Sequence, residues 1–157
     1  MADVHSLDKI DRKLLELLQE NARYSLKQLS ERVYLSSPAV AARIEKLEKS
    51  GIISGYHADI DLDRMGYHIT AYISVQMSPK QKQKAIPAIS AMPNVIECSV
   101  VSGNNSLIMK VGFPSTAHLD HFIGQMQKYG HTETQIIFST PVPHRQIIVP
   151  EEQEGES

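Results

Sequence analysis

One stretch of the chain, residues 36–49, combines small and cationic side chains at helical spacing. At about 100° per residue, a helix here would bury an aliphatic side made of Val40, Ile44 and Leu47. The opposite side would carry small residues in its first half and cations one and two turns later: Ser37, Ala39, Ala42, Lys46 and Lys49, with Arg43 at the flank. A slim surface can approach a groove wall, and the cations behind it would lie near phosphates.

The residues before this stretch predict a partner helix. Ser25 and Gln28 have the spacing of a capping box, and Leu26, Leu29 and Val33 form an inner face. Two short helices joined by a turn of three or four residues, with the second one exposed, correspond to a helix-turn-helix at residues 26–46. An ordinary surface helix with ion pairs between neighbouring turns explains the same pattern, so both interpretations stay open.

Other side chains that could do chemistry lack the necessary partners. His118 and His121 are three apart on an expected helix, but no third metal ligand is evident, and Cys98 has no partner spacing. Three aspartates alternate at 59, 61 and 63 without the glycine and glutamate of a calcium loop. No Ser-His-Asp signature, glycine-rich phosphate loop or CxxC occurs. We therefore expect no catalytic residue, no metal and no cofactor.

The overall composition excludes several classes of protein. The net charge of −2 gives no global nucleic-acid signal, so a DNA-binding case depends on local charge placement. With Cys98 as the single cysteine, no intrachain disulfide can form. No apolar run is long enough to span a bilayer, and the first residues lack a signal-peptide pattern, so no membrane partner is expected. We expect a cytoplasmic, nucleoid-associated protein with a disordered acidic tail at 150–157.

Two small domains account for the remaining pattern. Residues 1–52 predict three short helices, the first of them capped by Asp8 and the third ended by Gly51. Residues 53–67 predict a linking segment, with exposed strands at 52–56 and 60–62 that would form a wing and hinge.

Residues 68–149 read as strand, helix, strand, strand, helix, strand. This order is the ferredoxin-like βαββαβ arrangement, with four antiparallel strands and two helices on one face. Pro87 should kink or delay the first of these helices, and residues 134–144 should form the last strand. The fold class is therefore α+β, a winged helix-turn-helix domain joined to a ferredoxin-like domain. Because the second face of such a sheet is uncovered, we expect a homodimer through the sheets.

The whole chain from about Leu7 to Val149 resembles the Lrp/AsnC family of feast/famine regulators. The segments "LDKIDRKLLELLQENAR" and "LSSPAVAARIEKLEKSGIISGY" are similar to the family's helix-turn-helix, and "MPNVIECSVVSGNNSLIMKV" is similar to two of its sheet strands. The resemblance implies a sequence-specific transcriptional regulator that binds double-stranded DNA, dimerises through its C-terminal sheets and often forms octamers. It also implies modulation by an amino acid or a related small metabolite.

The resemblance further implies a set of DNA contacts. The base-reading positions correspond to Ser37, Pro38, Ala39, Ala42 and Arg43, next to the capping Ser36. Arg43 is the expected guanine contact, because its planar fork fits O6 and N7. Phosphates would be held by Lys27, Gln28, Lys46 and Lys49.

The effector loop departs from the family's usual pattern. It reads Gly103, Asn104, Asn105, Ser106 and Leu107, where the family usually places an acidic residue after the glycine. A ligand's ammonium would lose a charge-assisted contact here, so an amino acid, another small molecule or no ligand all stay open. Ser139 and Thr140 lie where family members offer hydroxyls to a ligand.

Two other functions fit the same architecture. One is a nucleoid-type protein that binds DNA with low specificity and without an effector. The other is an enzyme similar to the haem-biosynthesis decarboxylases, which the seven histidines make worth considering.

Overall fold

The computed structural model describes residues 7–149, which divide into two compact units. The first unit comprises residues 7–58 together with 142–149, and the second comprises 59–141. The elements of the first unit are α1 (Lys9–Glu20), α2 (Leu26–Val33) and α3 (Ser37–Lys49). The elements of the second are β1 (Ile69–Gln76), α4 (Pro79–Ser90), β2 (Val95–Val100), β3 (Leu107–Phe113), α5 (Thr116–Met126) and β4 (His131–Ile136).

Three helices enclose the core of the first unit. Each helix contributes residues from its predicted apolar face, and the buried set is Leu14, Leu17, Leu29, Val33 and Val40. Leu47 near the end of α3 is also buried. The aliphatic side of α3 is therefore the side that anchors it, as its periodicity predicts.

The predicted helix caps are confirmed. Asp8 accepts the backbone N–H groups of Ile10 and Asp11 at the start of α1. The Ser25 and Gln28 side chains each accept the other's backbone N–H at the start of α2. Each cap supplies a partner for amides that have none within the helix.

The third helix also begins and ends where the sequence predicts. The Ser36 hydroxyl accepts the Ala39 N–H, with Pro38 in the first turn. At the other end Gly51 adopts a φ of 76°, and its N–H donates to the Glu48 carbonyl.

The predicted strands at 52–56 and 60–62 are wrong, because residues 50–68 contain no strand. An extended segment needs a neighbour for its backbone groups, and no other strand of the described chain pairs with this one. Residues 61–66 instead form a tight turn in which the Asp61 carboxylate accepts the Arg64 N–H and the Asp61 carbonyl accepts the Met65 N–H.

The second unit has the predicted ferredoxin-like topology. Its sheet has the order β2-β3-β1-β4, and all three strand pairs are antiparallel. One face packs with α4 and α5, and its core strands contribute the fully buried Ala71, Ile73, Val75 and Val111. The opposite face carries the alternating residues, and neither α4 nor α5 of this unit packs on it.

Two details of this unit differ from the predictions. The helix α4 begins at Pro79 and continues through Pro87 to Ser90, so Pro87 does not delay it. The last strand begins earlier than predicted and ends at Ile136, because half-buried Thr132 and Thr134 supply the inward alternation. Ser139 and Thr140 consequently follow the strand instead of lying on it.

The segment 142–149 belongs to the first unit, which differs from the predicted single domain at residues 68–149. The Gln19 side-chain amide on α1 donates to the Ile147 carbonyl and accepts the Ile147 N–H, at 3.3 and 3.0 Å. This two-way pairing is what a neighbouring strand would offer, and it fastens the segment to α1.

Candidate nucleic-acid interface

The turn between α2 and α3 fixes the position of the exposed helix. Tyr34 ends α2 in a left-handed conformation, and the Tyr34 and Leu35 N–H groups both donate to the Ser30 carbonyl. The Ser37 hydroxyl then lies 3.4 Å from the Ser30 hydroxyl. This short polar link between the two helices leaves Ser37 half-buried.

A continuous stripe of α3 faces solvent. Its members are spaced at four, three, one and three residues, which is helical periodicity along one side: Pro38, Ala42, Glu45, Lys46 and Lys49. Ala39 and Ser37 lie half-buried at the beginning of the stripe. The stripe is narrow where it starts and charged where it ends, as the sequence predicts.

The charges within the stripe are unevenly paired. Lys49 forms an ion pair with Glu45, and this contact lowers the pKa of the Glu45 carboxyl. Lys46 makes no ion pair with any residue described by the structure. Lys46 is therefore the cation of the stripe that is most available to an external phosphate.

Arg43 does not point out along the stripe. Its Nη1 atom donates to the Asp8 and Asp11 carboxylates on α1, both at 2.7 Å. The Asp11 side chain is only 5% exposed and that of Arg43 30% exposed. The geometry argues against the guanine contact that we expected, because a base contact would have to release a nearly buried carboxylate from its charged partner.

The contact shifts the pKa values of Asp8 and Arg43 in opposite directions. The pKa of Asp8 is lowered, chiefly because the Asp11 backbone N–H donates to it, with Arg43 adding to the effect. The pKa of Arg43 is raised by its hydrogen bonds with Asp11 and then Asp8. Arg43 thus fastens α3 to the first turn of α1 and holds the exposed stripe at a fixed angle.

The remaining polar candidates, on α2 and at the start of α3, are only partly free. Lys27 is exposed and forms no ion pair among the described residues. The Gln28 carboxamide oxygen is engaged in the helix cap, which leaves its NH₂ group as the available donor. Ser36 likewise uses its hydroxyl as an acceptor within the α3 cap.

The expected effector residues form two separate groups. The Ser106 hydroxyl donates to the Met77 carbonyl and accepts the Met77 N–H, so it closes the end of the β1–β3 pair and has no free donor. Gly103 has a φ of 100°, which a side chain would disfavour, and the exposed Asn104 follows it. Asn105 is half-buried.

Ser139 and Thr140 line a shallow depression on the uncovered side of the sheet, together with Tyr72 and Lys110. Near one end of β1, the Ser106 N–H donates to the Val75 carbonyl. Near the other end, the Ile137 N–H donates to the Thr70 carbonyl, and the chain then leaves the sheet toward Ser139. Five residues of strand separate these points, about 17 Å. One copy of the chain therefore does not bring the two groups together.

Two family models match the chain. A model described as winged helix-turn-helix DNA-binding matches residues 7–54, and one described as the Lrp/AsnC ligand binding domain matches residues 70–147. The HTH-type transcriptional regulator LrpA of Bacillus subtilis is 32% identical over 132 residues, which is 83% of this chain and 97% of that protein. The chain belongs to the Lrp/AsnC family of transcriptional regulators.

Solved structures of Lrp/AsnC proteins are similar over most of the chain. The structure of LrpC of B. subtilis has a TM-score of 0.83 at 27% identity and covers 88% of this chain and 99% of its own. The complex of the Neisseria meningitidis regulator NMB0573 with L-Met has a TM-score of 0.81 at 25% identity, covering 89% and 94%. The α+β fold class and the family are thereby confirmed.

Membership of the Lrp/AsnC family also decides between regulator and enzyme. The relatives are named transcriptional regulators, so the chain is not an enzyme of the decarboxylase type. Within residues 7–149 no three metal-binding side chains cluster, and His118 and His121 pair with Ser115 and Gln125. No described helix is both long and apolar enough to cross a membrane.

Sequence reasoning missed one member of the exposed stripe of α3. Glu45 lies in the middle of the exposed stripe, between Ala42 and Lys46 on the helix surface. A carboxylate in this position can accept the N4 amino group of cytosine, and the helical angle alone could have identified it.

Proposed function

We propose that this Lrp/AsnC protein is a sequence-specific regulator that lays the exposed stripe of α3 in the major groove of double-stranded DNA. The observation that carries the proposal is the separation of apolar and polar side chains onto opposite sides of α3. Its aliphatic side is buried against α1 and α2, while its other side offers small residues first and cations later. A helix of this shape can lie in a groove about 12 Å wide.

The contacts are assigned by position along the stripe. We assign the base edges to Ser37, Pro38, Ala39, Ala42 and Glu45. We assign the phosphates to Lys27, Lys46 and Lys49, with the free amide of Gln28 as a neutral donor. Arg43 leaves the contact set because it fastens α3 to α1. Ser36 stays in it as a phosphate contact, because its hydroxyl only accepts within the cap and keeps its O–H as a donor. Such a protein would work at the nucleoid.

Dimerisation through the uncovered sheet face is the second part of the proposal. This face exposes Tyr72 and Ile96, and Phe138 beside it is 96% exposed. Two such faces packed together would cover the aromatic residues as in a two-sheet sandwich. The same patch would serve both copies, as a two-fold dimer requires, and such dimers can assemble further into octamers.

An amino acid or a related metabolite is the proposed effector class. The support is the match to a ligand-binding domain and the L-Met complex of the Neisseria meningitidis relative. Since the Gly103–Ser106 loop and the Ser139–Thr140 pair lie at opposite ends of β1, a site containing both needs more than one copy of the chain. Effector binding should therefore depend on oligomerisation.

The test of DNA recognition begins with duplexes enriched from a random-sequence pool by the wild-type protein. We expect an enriched motif and a dissociation constant at least about 1,000-fold lower for it than for a scrambled duplex at matched salt. Equal affinity for both duplexes would support a nucleoid-type protein of low specificity instead.

The test of the effector uses a panel of free amino acids and the midpoint of thermal unfolding. We expect one amino acid to raise the midpoint in wild-type protein and to have no effect on an Ile96→Arg variant, which places a charge on the proposed dimer face but outside the Ser139–Thr140 depression. A stabilising ligand that acts equally on both proteins would contradict the shared site.

A further inference from the structure

Tyr34 occupies a backbone conformation that its side chain disfavours. Its φ of 55° and ψ of 41° are left-handed, and it is the one residue other than glycine with a positive φ among residues 7–149. In this region the Cβ atom crowds the carbonyl oxygen, so glycine is the usual residue at the end of a helix.

The turn itself requires this conformation. With Tyr34 in the left-handed region, its own N–H and that of Leu35 both reach the Ser30 carbonyl, and the chain reverses toward the Ser36 cap. Glycine would make the same hydrogen bonds without the crowding. The backbone therefore explains the conformation and leaves the tyrosine side chain unexplained.

No internal contact offsets the strain. The Tyr34 side chain is 93% exposed, and within the described residues its hydroxyl has no hydrogen-bond partner. The neighbouring Arg32 stacks on the ring of Tyr24 instead, 4.4 Å from its centroid. A strained and fully exposed aromatic residue points to a role in an intermolecular contact.

We propose that Tyr34 donates its phenolic hydroxyl to a phosphate at the edge of the groove that α3 occupies. This inference rests on the proposed function. In a helix-turn-helix the first helix crosses the backbone and the second enters the groove at its N-terminus, so the turn between them lies beside the phosphates. Tyrosine hydroxyls are among the usual donors to phosphate oxygens.

The test compares wild-type protein with Tyr34→Gly and Tyr34→Phe on the duplex enriched from the random pool. Tyr34→Gly should raise the midpoint of thermal unfolding by about 4 °C, because it relieves the backbone, while weakening binding about fivefold. Tyr34→Phe should keep the wild-type midpoint and lose a similar share of affinity.

Salt dependence separates this contact from the lysine contacts. A neutral hydroxyl displaces no condensed cation, so both Tyr34 variants should keep the wild-type slope of log affinity against log salt. The matched control, Lys46→Gln, should reduce that slope by about 0.9 for each chain bound. A slope that falls in Tyr34→Phe would overturn the proposed contact.

The remaining outcomes are distinct. If wild-type protein enriches no duplex, the proposed function fails before Tyr34 is tested. If wild-type protein binds and Tyr34→Gly binds equally well, the Tyr34 inference alone is overturned. A Tyr34→Gly variant that changes the sedimentation mass without DNA would assign the side chain to a contact between copies and would likewise overturn the inference.

Discussion

Replacing Arg43 by alanine should loosen the DNA-binding unit before it affects any choice of base. The change leaves the Asp11 carboxylate, 5% exposed, without its charged partner and frees the half-exposed Asp8. A hydrogen bond to a buried charged group contributes about 1.5–3 kcal/mol, whereas an exposed ion pair contributes at most about 1 kcal/mol. We therefore expect Arg43→Ala to cost about 2 kcal/mol, nearly all of it through Asp11.

Amide hydrogen exchange of the full chain measures this cost where it arises. A loss of about 2 kcal/mol corresponds to roughly 30-fold faster exchange in peptides from α1 and α3 that open together. The matched control is Lys49→Ala, which removes the exposed pair with Glu45 from the same helix and should change exchange by less than about threefold. Arg43→Lys should recover part of the loss, because one ammonium replaces the two-carboxylate contact incompletely.

A double-mutant cycle with Asp11→Asn completes the test. The two single changes should be strongly non-additive, since each removes the same contact. Exchange in Arg43→Ala within threefold of wild type would refute the reasoning. So would an affinity loss confined to one base position of the enriched duplex, because that result would return Arg43 to the role of base reader.

Three further predictions concern other parts of the molecule. Tyr72→Arg should lower the mass measured by sedimentation from a dimer to a monomer, whereas Met65→Arg, on an exposed turn outside the sheet, should leave the mass unchanged. An unchanged mass in Tyr72→Arg would contradict dimerisation through the sheet. Ser106→Ala should lower the free energy of unfolding by about 1 kcal/mol and speed hydrogen exchange of the Met77 amide, whereas the control Ser102→Ala should change neither. Exchange of the Met77 amide as slow in Ser106→Ala as in the control would refute the Ser106–Met77 hydrogen bonds. Burial and then the Glu48 hydrogen bond raise the pKa of Tyr56 to about 12. The folded pKa of Tyr56 lies above the unfolded value near 10, so its contribution to stability is present below pH 10 and should be lost as the pH rises toward 12. In an ultraviolet titration, the Tyr56→Phe variant should lack the phenol that ionises last in the wild-type protein.

Local signals made much of the fold predictable. The caps at Asp8, Ser25 and Ser36 depend on residues within one turn, and the burial of Val40 and Leu47 follows from helical spacing. The ferredoxin-like order followed from alternating and helical patterns in sequence.

The failures arise from contacts that lie far apart in the chain. Alternation at residues 60–63 looked like a strand, but a strand also needs a neighbour, and none of the described strands supplies one. The apolar run after Gln135 predicted that the last strand would begin near residue 134. The strand instead begins at His131, and its inward-facing residues include Thr132 and Thr134.

The site shows the same division between local and distant information. The exposed stripe of α3 was predictable from the rotation of about 100° per residue in a helix. The partner of Arg43 was not, because Asp11 lies 32 positions away. The left-handed conformation of Tyr34 was also hidden, since nothing about a tyrosine indicates it.

The most direct test of the central claim is the affinity of Ala42→Glu for the duplex that wild-type protein enriches. Ala42 is exposed in the middle of the stripe, so the substitution should leave the helical circular dichroism and the unfolding midpoint intact. A second carboxylate beside Glu45 should repel the duplex and weaken binding about 100-fold, while Ala22→Glu, in the exposed turn after α1, should retain most of the affinity. Wild-type affinity in a correctly folded Ala42→Glu protein would contradict the assignment of α3 as the DNA-reading helix.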